Sequence, residues 1–571
     1  MGFVLGISAY FHESSVALFK DGDLIFFCRE EYFSRIKADK SFPRLGLNYC
    51  KKTFDLTEEN IDRVVFYEKP LRSFLISSKV AFQNFPASFW LLINNFMKIR
   101  KSGMFFYSDF KKTINVPTAK LSFCPHHLSH VYSVIPFSNK DEPHLSLVLD
   151  GFGDVFSTSA YLVKNQKISL LKSVNYPSSL GLLYSAITEY LGFRINDGEF
   201  KVMALAAYGD GSLNTKFRET CGGANTGEIN LNAFKFYKSI SEHLDRPFYE
   251  IFGKKREEME VFPQIGTEGF QKLANLANAA QSYIEDEVKN LVLELIDKTS
   301  IQTIYLSGGV ALNSKLVSSL NEIKALKKVF VPPNPGDSGA AIGAGVFGCL
   351  LSGQDVTRSH DAFLGPSAAN QDSILQKFGE KINAGQTATQ ETAKLISEGN
   401  VIAILNGKSE VGPRALGNRS LLCDPRNEVV TLELSTKLKR REQFRPLAPA
   451  VLESEAANWF AIPLSMKKCL PWMACLAEAK PKTKELLPSI CHIDGSARIQ
   501  TVMPSQVDFY QLIEGFKQLT GVPILVNTSL NCGGDPIVLD VHDLITTMLR
   551  MKIKYTLCNG DLWKLDEKHF F

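Results

Sequence analysis

Two strand-to-glycine-to-helix junctions in the middle of the chain constrain its fold more than any other feature. Thr303 to Leu306 reads as a short buried strand and runs into Ser307-Gly308-Gly309-Val310-Ala311-Leu312-Asn313. Val329 to Val331 reads as another and runs into Pro332-Pro333-Asn334-Pro335-Gly336-Asp337-Ser338-Gly339, then the small-residue helix Ala340 to Gly348. Strands that hand over to helices in this way build parallel α/β layers. Such junctions also aim backbone N–H groups at a ligand, which makes Gly308, Gly309, Asn313 and Gly336 candidate nucleotide-binding positions.

The chain before these junctions fits the same class. Phe3 to Ala9, Ser15 to Phe19 and Leu24 to Cys28 alternate as strands, with the turn Lys20-Asp21-Gly22 between the last two. His12 and Glu13 sit in the loop that opens this hairpin, either bordering a site or simply exposed. The charged run Glu30 to Lys37 is too irregular for an amphipathic helix, and taken alone it reads as a solvated face. Residues 71–112 read as a helical insertion rich in Phe, Lys and Ser, with its aromatic stripe assigned to the core. In Cys124 to Val134, CPHHLSHVYSV, Pro125 suits a first helical turn and places His126 and His130 four apart on one face, with His127 pointing elsewhere. Helices Leu180 to Leu191 and Gly269 to Thr299 follow, the second with an apolar face at spacings of three and four.

Asp150 ends the apolar strand Ser146 to Asp150 before a glycine turn, a placement that faces a carboxylate into a site. An opening hairpin followed by two such junctions is the pattern of the actin, sugar kinase and chaperone ATPase superfamily, whose ribonuclease-H-like halves clamp ATP. In that pattern Asp337 reaches the same cleft as His126, His130 and Asp150. Two imidazoles and two carboxylates suit iron(II), manganese or zinc.

Ser352 to Gly365 reads as a connector to a second domain. A helix, Glu391 to Glu398, and a strand, Val401 to Leu405, lead to VGPRALGNRS, where Pro413, Gly412 and Gly417 hold Arg414 and Arg419 in a loop. Guanidinium forks held this way suit phosphate or carboxylate. Lys439, Arg441 and Arg445 follow in TKLKRREQFRPL, framed by Phe444 and Pro446 and therefore as readily buried beside an anion as solvated. Arg498 and Ser529 lie in segments that flank or end apolar strands, and Ser529 lacks the GxSxG elbow, which leaves hydrogen bonding to phosphate as its role.

Composition serves mainly to exclude. A chain of 571 residues exceeds one core. A net charge of +4 gives no reason to expect nucleic acid, and eleven cysteines without a CxxC pair argue for reduced thiols and a cytoplasmic location. No segment is long and apolar enough to span a bilayer, and no membrane partner is expected.

Taken together, GISAYFHESS, EEYFSRIKADKSFP, HHLSH, LGLLYSAITEYLGF, GEFKVMALAAYG, SGGVALNSK, NPGDSGAAIGA, GPRALGNRS, KRREQFRPLAPAV, HIDGSARIQTV and NTSLN resemble the NodU/CmcH O-carbamoyltransferase family in order, from about residue 2 to 540. The resemblance implies an α/β chain with a TsaD-like domain of the actin-like ATPase superfamily at 1–355 and a YrdC-like α/β domain at 356–571. It implies carbamoyl adenylate made from carbamoyl phosphate and ATP in the second domain, with Mg2+ accompanying ATP. The adenylate then passes internally to the first domain, where the hydroxyl of a small natural product takes the carbamoyl group. Arg414, Lys439, Arg445 and Ser529 would hold the anions, with Arg419, Arg441 and Arg498 as neighbours. His126, His130, Asp150 and Asp337 would hold iron(II), and His12 is the candidate base. The chain departs from the family pattern at Glu13, where aspartate is common, and at GGDPI, where GEPI is usual. A HypF-like or threonylcarbamoyl-adenosine-type modification pairs the same two domain types, but the HypF cysteines are missing here and the domain order is reversed. The acceptor and the oligomeric state, a homodimer included, stay open.

Overall fold

The computed structural model describes residues 2–98, 106–139, 141–165, 167–222, 228–231, 233–236, 244–357 and 361–570. Part of the expected insertion, 99–105, and part of the connector, 358–360, lie outside the described residues. The chain forms two compact units, Met1–Ile25 with Asp39–His360, and Phe26–Ala38 with Asp361–Phe571. The later boundary falls between His360 and Asp361, and the segment 26–38, which includes the second half of the strand Asp23–Arg29, is grouped with the second unit.

The first unit holds two five-stranded sheets. One is built from β1 (Phe3–Ser8), β2 (Ser15–Lys20), β3 (Asp23–Arg29), β4 (Ile61–Phe66) and β5 (Leu121–Phe123), in the order β3-β2-β1-β4-β5. The other is built from β6 (His144–Gly153), β7 (Phe156–Lys164), β8 (Lys167–Asn175), β9 (Thr303–Ser307) and β10 (Lys328–Phe330), in the order β10-β9-β6-β7-β8. The two share one plan. The first strand of each pairs antiparallel with the second and parallel with the fourth, and the fourth pairs parallel with the fifth.

Both expected junctions form where the sequence places them. Asn313 caps the helix Ser314–Ser319 by accepting from Leu316 N–H at 3.0 Å, and Asp337 opens the helix Asp337–Leu351, which starts earlier than its small residues suggested. The long helix Glu268–Thr299 starts at Thr267, whose hydroxyl accepts from Phe270 N–H at 3.3 Å. Among the described residues no helix is long and apolar enough to cross a membrane.

The insertion is helical, as Pro70–Gln83, Phe89–Lys98 and Phe106–Lys111. Its aromatic stripe divides. Phe106 and Phe110 are buried against Phe42, Phe66 and Phe123, whereas Phe82, Phe85, Phe89 and Trp90 are exposed, which corrects the core assignment for that half.

The second unit carries an eight-stranded sheet built from β11 (Gly379–Ala384), β12 (Ile402–Leu405), β13 (Arg419–Cys423), β14 (Pro449–Leu452) and four later strands. Between them lies a small three-stranded sheet of β15 (Phe460–Ala461), β16 (Ala477–Ala479) and β17 (Ser496–Ala497). The later strands are β18 (Gln500–Val502), β19 (Ile524–Ser529), β20 (Tyr555–Cys558) and β21 (Asp561–Leu565), and the large sheet runs β11-β21-β20-β12-β13-β19-β14-β18. The charged run does not form a solvated face. Arg29, Glu30, Glu31 and Tyr32 are buried, Arg29 pairs with Glu31 at 2.7 Å, and Arg35 donates to the carbonyls of Pro536 and Ile537 at 3.1 and 2.8 Å. A local pattern cannot announce such a role because every partner of Arg35 in this set lies some five hundred residues away.

Candidate active sites

In the first unit the ends of β5, β6 and β10 deliver four ligands to one point. His126 and His130 lie on the helix His126–Ser133, Asp150 on β6, and Asp337 at the first turn of its helix, all buried. Two glycines make this convergence possible. A Cβ on Gly343 would stand 1.6 Å from the Ser129 carbonyl oxygen, so only glycine lets the Asp337 helix approach the histidine helix this closely, and one on Gly153 would strike the His126 ring at 2.0 Å.

The ligand atoms lie within 4.8 Å of one another. His126 Nε2 is 2.9 Å from Asp150 Oδ2, 3.1 Å from His130 Nε2 and 3.5 Å from Asp337 Oδ1. His130 Nε2 is 3.4 Å from Asp150 Oδ2 and 3.3 Å from Asp337 Oδ1. An ion with bonds of about 2.1 Å sets its ligands about 3.0 to 3.4 Å apart, so the donor set and its spacing fit a divalent transition metal. The atoms around the point agree: Asp337 Oδ1 and Oδ2 are buried without a well-formed hydrogen bond. Gly309 N–H donates to Asp150 Oδ1 at 3.2 Å and orients that ligand.

Charge inside the cluster is mutually satisfied. Burial opposes ionisation of His126, but the hydrogen bond to Asp150 and the charges of Asp337 and Glu68 outweigh it and hold its pKa up at about 10. Burial would likewise raise Asp150, yet its bonds to His126 and His130 keep it well below the usual carboxylate range. His127 turns away, its Nδ1 2.6 Å from Ser159 Oγ, and burial keeps it neutral.

The remaining residues expected in this unit fall around the cluster. The loop of half-buried His12 is tied to the Asp337 helix, since Ser338 Oγ donates to Glu13 Oε2 at 2.9 Å and Ser15 Oγ to the Ser338 carbonyl at 2.7 Å. Gly308 N–H donates to the Pro335 carbonyl at 2.8 Å, which joins the two junctions. Asn313 serves its helix cap and Gln281, and Gly336 is the N-cap of the Asp337 helix. Sequence reasoning missed Glu68, two residues past β4, whose pKa burial raises to about 7 within electrostatic reach of His126 and Asp337. Its signal was a carboxylate just beyond the end of an apolar strand.

In the second unit the structure gathers cations. Burial lowers the pKa of Arg414, Arg441 and Arg498, and so do the like charges of Arg445 and of one another. Lys439 is lowered by burial and then by Arg441 and Arg445. Arg445 reaches Glu442 at 3.2 Å, and Arg498 Nε is buried without a hydrogen-bond partner among the described residues. Lys439 and Ser529 come together as expected: Lys439 Nζ donates to the Ser529 carbonyl at 2.7 Å, its hydroxyl at 3.2 Å, the Asn531 carbonyl at 2.7 Å and the Asn531 side chain. Arg441 NH2 donates to Thr528 Oγ1 at 2.6 Å.

Arg419 differs from its neighbours. It lies on β13, fully buried, and its guanidinium donates to the carbonyls of Asn406, Asn418, Pro366 and Gly407 at 2.6, 3.1, 3.3 and 3.1 Å, so it braces the loop from within. Glu410, also missed in the sequence, braces it from the other side: Oε1 accepts from the N–H groups of Leu416, Asn418 and Arg419 at 2.9, 3.0 and 3.1 Å. Gln500 donates to the Leu416 carbonyl at 2.7 Å and Asn527 to that of Ala415 at 3.2 Å. The loop is therefore rigid before any anion arrives.

A metal-ligand cluster and a separate cation cluster narrow the chemistry, and comparison with known proteins decides it. The family model described as carbamoyltransferase N-terminus matches residues 3–346, and carbamoyltransferase C-terminus matches 393–564. The chain belongs to the carbamoyltransferase family. Among relatives of this carbamoyltransferase, the nodulation protein NolNO of Sinorhizobium fredii is 30% identical over 95% of this chain and 77% of its own. The uncharacterized protein sll1178 of Synechocystis is 33% identical over 97% and 95%. Among solved structures, component A of (R)-2-hydroxyglutaryl-CoA dehydratase from Acidaminococcus fermentans superposes with a TM-score of 0.33 at 12% identity, over 61% of this chain and 97% of that one.

Proposed function

We propose that this carbamoyltransferase makes carbamoyl adenylate from carbamoyl phosphate and ATP at the cation cluster and passes the carbamoyl group to a hydroxyl of a small natural product in the first unit. The observation that carries this reading is the cation cluster itself. Arginines that depress one another's proton affinity are costly to hold together without an anion, and two polyanionic substrates supply one.

The chemistry asks for such a site. Hydrolysis of carbamoyl phosphate frees carbamate and phosphate; a carbamate oxygen then attacks the α-phosphorus of ATP and pyrophosphate leaves. Arg414, Lys439, Arg441, Arg445 and Arg498 spread the charge that builds on the phosphates, and Ser529 donates to a phosphate oxygen. ATP brings Mg2+ with it. In the first unit the acceptor hydroxyl attacks the carbamoyl carbon, AMP leaves, and His12 takes the hydroxyl proton. Iron(II), or another divalent transition metal, would be held by His126, His130, Asp150 and Asp337 and would act as a Lewis acid toward the adenylate.

The finer fold reading agrees. Two sheets on one strand plan suit the ribonuclease-H-like halves of a TsaD-like domain, with the junctions at Gly308, Gly309, Asn313 and Gly336 bordering the nucleotide although the N–H groups of Gly308, Gly309 and Asn313 are already given to Pro335, Asp150 and Val310, and the large mixed sheet suits a YrdC-like domain. The test is pyrophosphate release from ATP, measured with and without carbamoyl phosphate. Release that requires carbamoyl phosphate supports adenylate formation; no release with Mg2+ and iron(II) present sinks it.

A further inference from the structure

The helical insertion exposes an apolar face that neither proposed reaction uses. On Pro70–Gln83, Leu71, Leu75 and Phe82 fall at helical offsets that bring them to one side, and all are more than half exposed at 60, 57 and 64%. Phe85, Phe89 and Trp90 continue the apolar surface through the turn into Phe89–Lys98, at 60, 47 and 65% exposure. The opposite side of the first helix is spoken for, since Val80 and Ala81 are buried. Scattered exposed apolar residues need no explanation, but six in twenty consecutive residues do.

Charge identifies what covers them. Residues 69–98 contain Lys69, Arg72, Lys79 and Lys98 and no Asp or Glu. Arg72 and Lys79 are exposed and lie at the edge of the Leu71, Leu75 and Phe82 stripe. A second copy of this chain docking through a two-fold contact would bring these same cations together with no acid to relieve them. An anionic surface instead pairs with the basic edge while the apolar stripe is buried, and Phe and Trp beside Lys and Arg are the side chains that settle at a lipid headgroup boundary.

We infer that the insertion is an interfacial anchor that lays this carbamoyltransferase on an anionic lipid bilayer. The sequence excluded a segment that spans a membrane and expected no membrane partner; a helix lying on the surface escapes that test, because it needs an apolar stripe and not an apolar length. The anchor does not depend on the reaction assigned to either site.

Co-sedimentation of the full chain with vesicles tests it. Vesicles containing phosphatidylglycerol should pellet the protein at low salt, pure phosphatidylcholine vesicles should pellet at least about tenfold less, and molar salt should release it. A double charge reversal, Arg72→Glu with Lys79→Glu, should lower binding by about tenfold or more, and so should Leu75→Ser with Phe82→Ser. Far-UV circular dichroism and the thermal midpoint check that each variant folds; the charge reversal lies on an exposed surface and keeps the test open if the apolar variant fails. Vesicle binding should also shift tryptophan emission to the blue, and Trp90→Phe should remove most of the shift. Equal pelleting by neutral and anionic vesicles, no pelleting at low salt, or full binding by the folded variants would overturn the inference. A concentration-dependent dimer abolished by the apolar variant would overturn it too, and would give the face to a second copy.

Discussion

The first unit gathers groups of opposite sign and the second gathers mostly cations, and although burial opposes charge in both, the neighbouring groups answer it in opposite ways. At His126, His130 and Asp150 the partners relieve each other, so the imidazoles hold their protons more firmly and the carboxylate ionises more readily. At Lys439, Arg414, Arg441 and Arg498 each charge makes the next more costly, so every one loses proton affinity. The first cluster could hold a metal, and binding one would cost it the protons on its imidazoles. The second has Glu442 beside Arg445 and Arg441 as a counter-charge and would be relieved further by an anion, and its loop is braced in advance by Glu410, Arg419, Gln500 and Asn527.

Breaking the cation cluster should have the largest effect. Arg498→Ala is expected to lower carbamoyl-phosphate-dependent pyrophosphate release by about a hundredfold or more while leaving metal content, read by atomic emission, unchanged. Removing a brace comes next. Glu410→Ala strands three backbone N–H groups and is expected to cost about 2 to 4 kcal/mol in urea denaturation, with Glu410→Gln recovering part of it. Supplying the anion should do the reverse: ATP at about a hundred times its Kd should stabilise the native chain by about 2.7 kcal/mol, and the gain should shrink in Arg498→Ala.

The smallest effect is on pH. His144, stacked on Tyr305 with ring centroids 4.0 Å apart, is buried and its pKa is lowered. A histidine that binds its proton less tightly when folded leaves stability untouched above the unfolded pKa of about 6.5 and removes it as pH falls below, by at most about 1.4 kcal/mol per unit. Acid titration of the thermal midpoint should therefore be flatter in His144→Phe.

The two clusters also differ in how well the sequence announces them. His126 and His130 are four apart on one helix, which periodicity shows, Asp150 was legible as a carboxylate late in an apolar strand before glycines, and Asp337 joined them only through the pattern of hairpin and junctions. The cations were legible as a set but not one by one. An arginine in a glycine-rich loop reads the same whether its guanidinium faces an anion or, as at Arg419, the loop's own carbonyls. Arg35 in the segment 26–38 acts through partners some five hundred residues away, which no local pattern reports, and Glu410 braces N–H groups six to nine residues further along an irregular loop, where no periodicity marks it. The insertion shows the complementary blindness: helical spacing reveals that Leu71, Leu75 and Phe82 share a face, but only packing reveals that the face is left uncovered.

The division of labour between the clusters is the central claim, and pyrophosphate release by two single variants tests it most directly. With carbamoyl phosphate and ATP, His126→Ala should still release pyrophosphate while failing to carbamoylate an acceptor, and Arg414→Ala should release none. Full release by Arg414→Ala together with loss in His126→Ala would contradict it.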